Sequence, residues 1–306
     1  LLSESFGHNL SYAFVNVVGY GTTDAGLQAR APLLPLLLAL SKYILGNNLL
    51  GIYLPILLSR LLVTPFTFLV SSFFLPLPAA FLASSMTVFI PKLQTFSLSA
   101  WEVDSFVLVF YLLAILFYLQ FNKTRKSFNL FLCGLSLVLL SLVKETGFPI
   151  SVGFVIAILV ERVFKFKKNQ GASFKNFLLL ISPLLLLVTP FFLYTLVKDG
   201  SLYFSALTVD RNIKYLDDNL PVLFKTIPYY FLGIDGVNLF NQTPKSFFIN
   251  SLIFILYLSG LCYFIARRNF TLILPTLFTF LALGLLNTQS IGGDTPWNFE
   301  LITILA

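Results

Sequence analysis

Long apolar stretches recur along almost the whole chain, separated by short segments that hold most of the charged residues. Eight of these stretches approach or reach the length of a membrane-crossing helix, about 17–25 residues. We expect spans near residues 52–74, 76–91, 104–121, 128–143, 147–163, 176–197, 247–266 and 270–287. Because the runs are continuously apolar and do not alternate, they predict helices rather than the strands of an outer-membrane barrel. The expected fold class is all-α, a polytopic transmembrane helical bundle.

The composition agrees with this pattern. Hydrophobic residues make up 57% of the 306 and charged residues 11%, with a mean hydropathy of +0.88. A soluble domain carries about a quarter charged residues. We therefore expect an integral membrane protein with one transmembrane domain over residues 1–306. The chain starts at Leu1 without a methionine and stops at Ala306 inside an apolar run, so we expect it to be truncated at both ends.

Histidine and cysteine are scarce. His8 is the single histidine, which excludes a zinc or haem site built from several histidines. Cys133 and Cys262 both lie in apolar runs, where cysteine usually behaves as a small buried hydrophobe. The sequence therefore predicts no metal site of these kinds.

The basic residues predict the topology. With the eight spans above, three clusters fall on one side of the membrane, which the positive-inside rule makes the cytoplasm. They are Lys123, Arg125 and Lys126; Arg162, Lys165, Lys167, Lys168 and Lys175; and Arg267 with Arg268. The net charge of +7 is thus explained by topology and needs no nucleic-acid partner. We expect a plasma-membrane protein.

The remaining connections then face outward. Residues 1–46 form a first outer loop, in which 31–46 is too short and proline-rich to span and is predicted to be a helix that lies in the outer interface. Residues 198–246 form a large outer loop with five aspartates. Most of the unusual polar residues lie on this side.

Charged residues near the outer ends of spans are the candidate site. Arg60 lies about two turns into an apolar helix, and Lys144 lies in a turn between two spans. Four carboxylates complete the set, two at the start of a span and two in the first outer loop: Glu102, Asp104, Glu4 and Asp24. Structural roles stay open, because Asp104 also suits a helix N-cap and Lys144 suits a helix C-terminus.

Together these groups suit phosphate binding and proton transfer. Arginine binds phosphate in a bidentate manner and lysine binds it as a point charge. A carboxylate within hydrogen-bond reach of an acceptor hydroxyl can act as a general base. No glycine-rich nucleotide loop accompanies them.

Three sequence segments resemble a known family. They are "ARAPLLPLLLALSKYILGNNLLGIYLPILLSRL", "WEVDSFVLVFYLLAILFY" and "CGLSLVLLSLVKETGFPI". Their order is similar to that in GT-C superfamily membrane glycosyltransferases of the protein mannosyltransferase and aminoarabinose transferase type. The likeness covers roughly residues 25–160, and its most specific part is the run "G-L-x-L-x-x-x-x-L-x-K-x-T-G" from Gly134 to Gly147.

The resemblance implies an inverting hexosyl- or pentosyltransferase. Its donor would be a sugar linked to polyprenyl phosphate, and its acceptor a protein or lipid at the non-cytoplasmic face. It implies that Lys144 and Arg60 bind the donor phosphate, and that Asp104 or Glu102 orients the acceptor or holds a divalent ion. The general base would lie in the first outer loop, near Glu4 or before Leu1.

Metal dependence stays open, since some members of the superfamily need a divalent cation such as Mg²⁺ or Mn²⁺ and others do not.

Two other functions stay open. A transporter or lipid flippase would use Arg60 and the helix-breaking prolines along a substrate path, but no inverted repeat stands out. A polymerase or ligase of lipid-linked polysaccharide would also suit outer-face cations and the loop 198–246.

Overall fold

The computed structural model describes five stretches of the chain and a few single positions. The stretches are residues 33–46, 48–88, 104–144, 147–166 and 174–190 with residue 193, and the single positions are 255, 259, 260, 262, 263 and 266. The described residues are helical or lie in turns, and none of them is in a strand. The all-α prediction is confirmed for this part of the chain.

Seven helices follow in chain order. They are α1 (Leu33–Leu45), α2 (Leu49–Ser71), α3 (Leu77–Val88), α4 (Asp104–Thr124), α5 (Ser127–Val143), α6 (Gly147–Phe166) and α7 (Phe174–Pro183), which continues as a π-helix over Leu184–Val188. The first six predicted spans and the helix predicted over 31–46 each coincide with a helix, with ends that differ by a few residues. The predicted spans 247–266 and 270–287 and the loop 198–246 lie outside the described stretches.

Among the described residues, two helices are long and apolar enough to cross a bilayer by length and composition. They contain the segments Tyr53–Ser71 of α2 and Ser105–Thr124 of α4. Only 22% of the first segment is buried within the protein, against 67% of the second. α4 is therefore an inner helix, whereas α2 exposes most of an apolar surface that suits contact with lipid. The number of spans, about eight, stays a prediction.

Asn48 links the end of α1 to the start of α2 through both ends of its side-chain amide. Its Oδ1 accepts a hydrogen bond from the backbone N–H of Gly51 at 2.9 Å, which caps the start of α2. Its Nδ2 donates to the carbonyl of Leu45 at 2.9 Å, at the last residue of α1. Gly46 between them has φ +86°, the left-handed conformation that ends many helices. Asn48 thus fixes the elbow, the bend of the chain between α1, which is about 20 Å long, and α2.

α4 and α5 form a hairpin that packs along its length. The two-residue connection contains Arg125, whose φ of 58° is in the left-handed region, and its N–H donates to the carbonyl of Phe121 at 2.8 Å. Thr124 Oγ1 accepts a hydrogen bond from Asn129 Nδ2 at 3.1 Å across the turn. Arg125 and Lys126 are exposed here. Because the connection is so short, α4 and α5 run in opposite directions.

α5 also packs against α7 through a glycine. A Cβ on Gly134 would overlap the backbone carbonyl of Leu180 and would lie 3.2 Å from Cδ of Pro183. Pro183 has no N–H to offer the carbonyl of Leu179, and Ser182 Oγ donates to that carbonyl at 3.3 Å instead. The π-helical turn begins directly after this proline.

The chain divides into two compact units. The first comprises Leu1–Phe148 with Ser173–Ser205 and contains the helices α1 to α5 and α7. The second comprises Pro149–Ala172 with Ala206–Ala306. In the second unit the described part of α6 buries residues at helical spacing: Ile150, Phe154, Ala157 and Ile158.

Candidate functional site

Arg60 lies near the middle of α2. Its side chain is half-buried, and the Nε and Nη2 atoms of its guanidinium are shielded from the surface. Neighbouring residues on the same helix, such as Leu57 and Leu61, are exposed. The guanidinium is therefore directed into the protein and away from the apolar face of α2. The helix starts at Leu49, so Arg60 is three turns from its N-terminus and one turn deeper than the sequence pattern indicates.

A hydrogen bond between two serines joins α2 to α4 beside Arg60. Ser59 Oγ and Ser105 Oγ are 2.6 Å apart, and both residues are almost completely buried. Ser59 Oγ also donates to the carbonyl of Ile56 at 2.7 Å. A hydroxyl has one hydrogen to donate, so Ser105 is the donor and Ser59 the acceptor in the interhelical bond.

The serine bond places two candidate residues at one level. Arg60 follows Ser59 directly, and Asp104 precedes Ser105 directly as the first residue of α4. The structure describes the backbone of Asp104, and α4 starts at this residue, as the apolar pattern predicts. The Arg60 segment therefore packs against the N-terminal end of α4, which attracts negative charge.

Lys144 ends α5. It has the extended conformation φ −150°, ψ 149°, and its carbonyl accepts a hydrogen bond from the N–H of Gly147 at 2.9 Å. Its side chain is half-buried. The prediction that Lys144 lies in a turn between two helices is confirmed. Its neighbour Glu145 lies outside the described residues.

The α4–α5 hairpin brings Lys144 to the same end as Asp104. The 21 residues of α4 and the 17 of α5 are joined by a two-residue turn. At 1.5 Å per residue, Asp104 is about 30 Å and Lys144 about 26 Å from that turn. Asp104 and Lys144 thus lie toward the same end of the α4–α5 hairpin, and the serine bond places Arg60 at the level of the start of α4.

Gly134 and Gly147 bound the sequence run that contains Lys144. Gly134 permits the close approach of α7 described above. At the other end, a Cβ on Gly147 would overlap the backbone carbonyl of Leu140 in the last turns of α5. The run from Gly134 to Gly147 therefore holds α5 against α7 at one end and folds the turn tightly at the other. Both constraints fix where the backbone of Lys144 lies.

Three of the predicted carboxylates, Glu4, Asp24 and Glu102, lie outside the described residues. Within the described stretches, no group of three or more His, Cys, Asp and Glu residues could hold a metal ion. The role of a divalent cation stays a prediction, because most of the candidate acids are elsewhere in the chain.

Sequence reasoning did not identify Ser59 and Ser105 as part of the site. A signal is present in the sequence, since a serine adjoins a charged residue in both "LLSRLL" and "EVDSFV". Each pair is isolated in an apolar stretch. The signal does not reveal that the two serines face each other, because they are 46 residues apart.

A comparison with protein families reveals the family of the region that contains these helices. The family model described as dolichyl-phosphate-mannose-protein mannosyltransferase matches residues 29–194, more than half of the chain. The matched region contains α1 to α7 and therefore Arg60, Asp104 and Lys144. No curated protein and no solved structure matches the chain.

Proposed function

The chain belongs to the dolichyl-phosphate-mannose-protein mannosyltransferase family, and we propose that it transfers a sugar from a polyprenyl-phosphate donor to a protein or lipid hydroxyl. Membership makes it a membrane glycosyltransferase, as the sequence predicts. The observation that carries the finer proposal is the Ser59–Ser105 hydrogen bond. It holds the segment of Arg60 against the end of α4 where Asp104 lies, while Lys144 ends the adjacent helix α5.

The proposed reaction is a single displacement at the anomeric carbon. The acceptor oxygen forms a bond to C1 of the sugar, the bond from C1 to the phosphate oxygen breaks, and the configuration inverts. A carboxylate takes the proton of the acceptor hydroxyl. The departing polyprenyl phosphate gains one negative charge as a monoester. Arg60 and Lys144 are the cations that would stabilise that charge.

The carboxylates have two proposed roles. The base would come from the first outer loop, where Glu4 and Asp24 are the acids present. Asp104 or Glu102 would orient the acceptor or hold a divalent cation. The position of Asp104 at the start of α4 supports the role of orienting the acceptor, because the helix fixes the backbone from which its carboxylate extends.

The proposed architecture has about eight spans with the site at the non-cytoplasmic face of the plasma membrane. The exposed cations of the α4–α5 turn support this orientation, because basic connections favour the cytoplasm. Asp104 and Lys144 lie at the opposite end of the same hairpin. A lipid-linked donor has its phosphate at the level of the lipid headgroups, where residues at the end of the helical bundle would contact it.

Lys144→Ala and Asp104→Asn test the assignment directly. Transfer of a radiolabelled sugar from a polyprenyl-phosphate donor is measured in membranes. Size-exclusion chromatography of the detergent-solubilised protein confirms that each variant is present in an equal amount of folded protein. We expect each variant to lose on the order of 10²-fold in kcat. Lys144→Ala removes a cation that stabilises transition-state charge, and Asp104→Asn removes the carboxylate that orients the acceptor or holds a divalent cation. Lys126→Ala, at the exposed opposite end of the hairpin, is the matched control. Wild-type turnover in both site variants would refute the proposed site.

The same assay distinguishes the other two functions. A polymerase or ligase would join oligosaccharides carried on a lipid and yield longer lipid-linked or ligated products. A flippase would move the lipid-linked sugar across a proteoliposome membrane without making a new glycosidic bond. A product with one added sugar on a protein or lipid acceptor supports the transferase.

A further inference from the structure

We infer that Ser59 and Ser105 are positioning residues, whose hydrogen bond holds the Arg60 guanidinium in register with the donor phosphate. This inference rests on the proposed function, because it assigns a role within that site. Neither serine is proposed to touch the substrate. The pair acts by locking α2 to the first turn of α4 at the level of the candidate cation.

The first step of the argument is geometric. α2 contains Pro55 and Pro65, one on either side of Arg60, and each proline removes a backbone hydrogen bond from the helix. The segment that carries Arg60 is therefore less constrained by its own helix than an uninterrupted one. Within the described part of the chain, only 22% of the apolar segment Tyr53–Ser71 of α2 is buried. An external contact is needed to fix the segment, and the 2.6 Å serine bond is such a contact.

The second step is the burial of the bond. Ser105 is fully buried and Ser59 is 2% exposed, so no solvent competes for these hydroxyls. In such surroundings a hydrogen bond is electrostatically stronger than in water, and leaving one partner alone is costly. The bond therefore specifies one register of α2 against α4. Because Arg60 is the next residue, its Cα is fixed by the same contact.

The third step is the comparison with a second hydroxyl pair on the same helix. Thr64 Oγ1 and Thr87 Oγ1 are 3.0 Å apart and join α2 to α3. This contact has the same chemistry, but it is one turn from Arg60 and involves a helix without a candidate site residue. It provides a matched control for the stability that an interhelical hydroxyl bond contributes.

The experiment compares Ser59→Ala, Ser105→Ala and their double variant with Thr64→Val, Thr87→Val and their double variant. Three quantities are measured on full-length protein in nanodiscs: the Tm, the affinity for polyprenyl phosphate, and the separate KM values for donor and acceptor. We expect the serine variants to bind polyprenyl phosphate on the order of tenfold more weakly, since small misplacements of a positioned group have effects of this size or larger. Their donor KM rises and their acceptor KM does not.

A purely structural role predicts another result. Loss of folded protein lowers the rate without changing either KM, and the threonine variants should show only that pattern with a similar fall in Tm. Equal effects of the serine and threonine variants on polyprenyl phosphate binding would overturn the inference. Ser59→Cys with Ser105→Cys provides a check of register, because sulfur atoms at these positions should form a disulfide on oxidation.

The binding measurement separates this inference from the proposed function. If no sugar is transferred but polyprenyl phosphate binding depends on Ser59 and Ser105 alone, the positioning role stands and the transferase assignment fails. If transfer occurs and the serine variants match the threonine variants, the function stands and the positioning role fails.

Discussion

Ser105 donates a hydrogen bond to Ser59 across the α2–α4 interface, at 2.6 Å between the two Oγ atoms. The direction of this bond makes the two alanine variants unequal. In Ser59→Ala the fully buried hydroxyl of Ser105 loses the acceptor of its hydrogen bond. In Ser105→Ala the hydroxyl of Ser59 loses a donor but keeps its own hydrogen bond to the carbonyl of Ile56. We expect Ser59→Ala to lower stability by about 1–3 kcal/mol and Ser105→Ala by about 1 kcal/mol. Thermal unfolding in detergent checks the order of the two, and the reverse order would contradict the assigned donor.

The glycines that bound the Lys144 run should resist substitution. Gly134→Ala places a methyl group against the carbonyl of Leu180, and Gly147→Ala places one against the carbonyl of Leu140. Each overlap is with backbone, so relief requires a helix to move, at a cost of about 1–3 kcal/mol. Unfolding midpoints of the purified variants measure this cost.

Gly260→Ala is the control, because a Cβ there has no neighbour within 4 Å. Gly260 is helical, so alanine should be neutral or slightly stabilising. Equal destabilisation of all three variants would show that the close approaches at Gly134 and Gly147 are not the cause.

The elbow between α1 and α2 depends on both ends of one amide side chain. Asn48→Ala removes the cap of α2 and the bond to Leu45 together, and we expect a loss of about 1 kcal/mol. Asn48→Asp keeps the acceptor for the Gly51 N–H and loses only the donor. Hydrogen exchange at Gly51 should therefore increase in Asn48→Ala and change little in Asn48→Asp; equal exchange in both variants would exclude the cap.

Arg125 combines a strained backbone with a positive charge in a turn that is predicted to be cytoplasmic. Its φ of 58° disfavours any residue with a Cβ, so Arg125→Gly should raise stability by up to about 1 kcal/mol. The same change removes one cation from the α4–α5 turn and should weaken the preference of that turn for the cytoplasm. Arg125→Lys keeps the charge and the strain, and should change neither property. Unfolding and cysteine accessibility of the turn measure the two effects separately.

Sidedness can be tested with single cysteines on a background that lacks Cys133 and Cys262. Ser127→Cys, exposed at the start of α5, should react with a membrane-impermeant maleimide only from the cytoplasmic side. Ser201→Cys, in the predicted outer loop, should react only from outside. The opposite pattern would reverse the topology and move the candidate site to the cytoplasmic face.

The helices themselves were largely predictable. Continuous apolar runs specify where helices exist in a membrane protein, because a backbone in lipid must satisfy its own hydrogen bonds. Asp104 and Ser127 lie within a residue of the predicted starts of their helices. The start of α2 was less accurate, since Leu49 and Leu50 are exposed leucines that the pattern alone does not separate from the preceding loop.

The site was only partly predictable. Charges in apolar surroundings identify Arg60 and Lys144 because such residues are costly unless they have a role. The sequence pattern does not distinguish the two serines, because buried serine hydroxyls are common in helices. There they can donate a hydrogen bond to a backbone carbonyl of the same helix, as Ser136 and Ser141 do. What distinguishes Ser59 is its partner on another helix, and a single sequence does not contain that pairing.

The sequence by itself determined the class of protein, the existence of the seven described helices, the basic turn at Arg125 and the family to which residues 29–194 belong. These are properties of local composition and order, which act over one helix or one turn. Only the tertiary structure decided that Ser59 meets Ser105, that Gly134 admits the carbonyl of Leu180, and that Lys144 returns to the end where α4 begins. Such contacts join residues that are distant in sequence, and their free energy depends on the packing of complete helices.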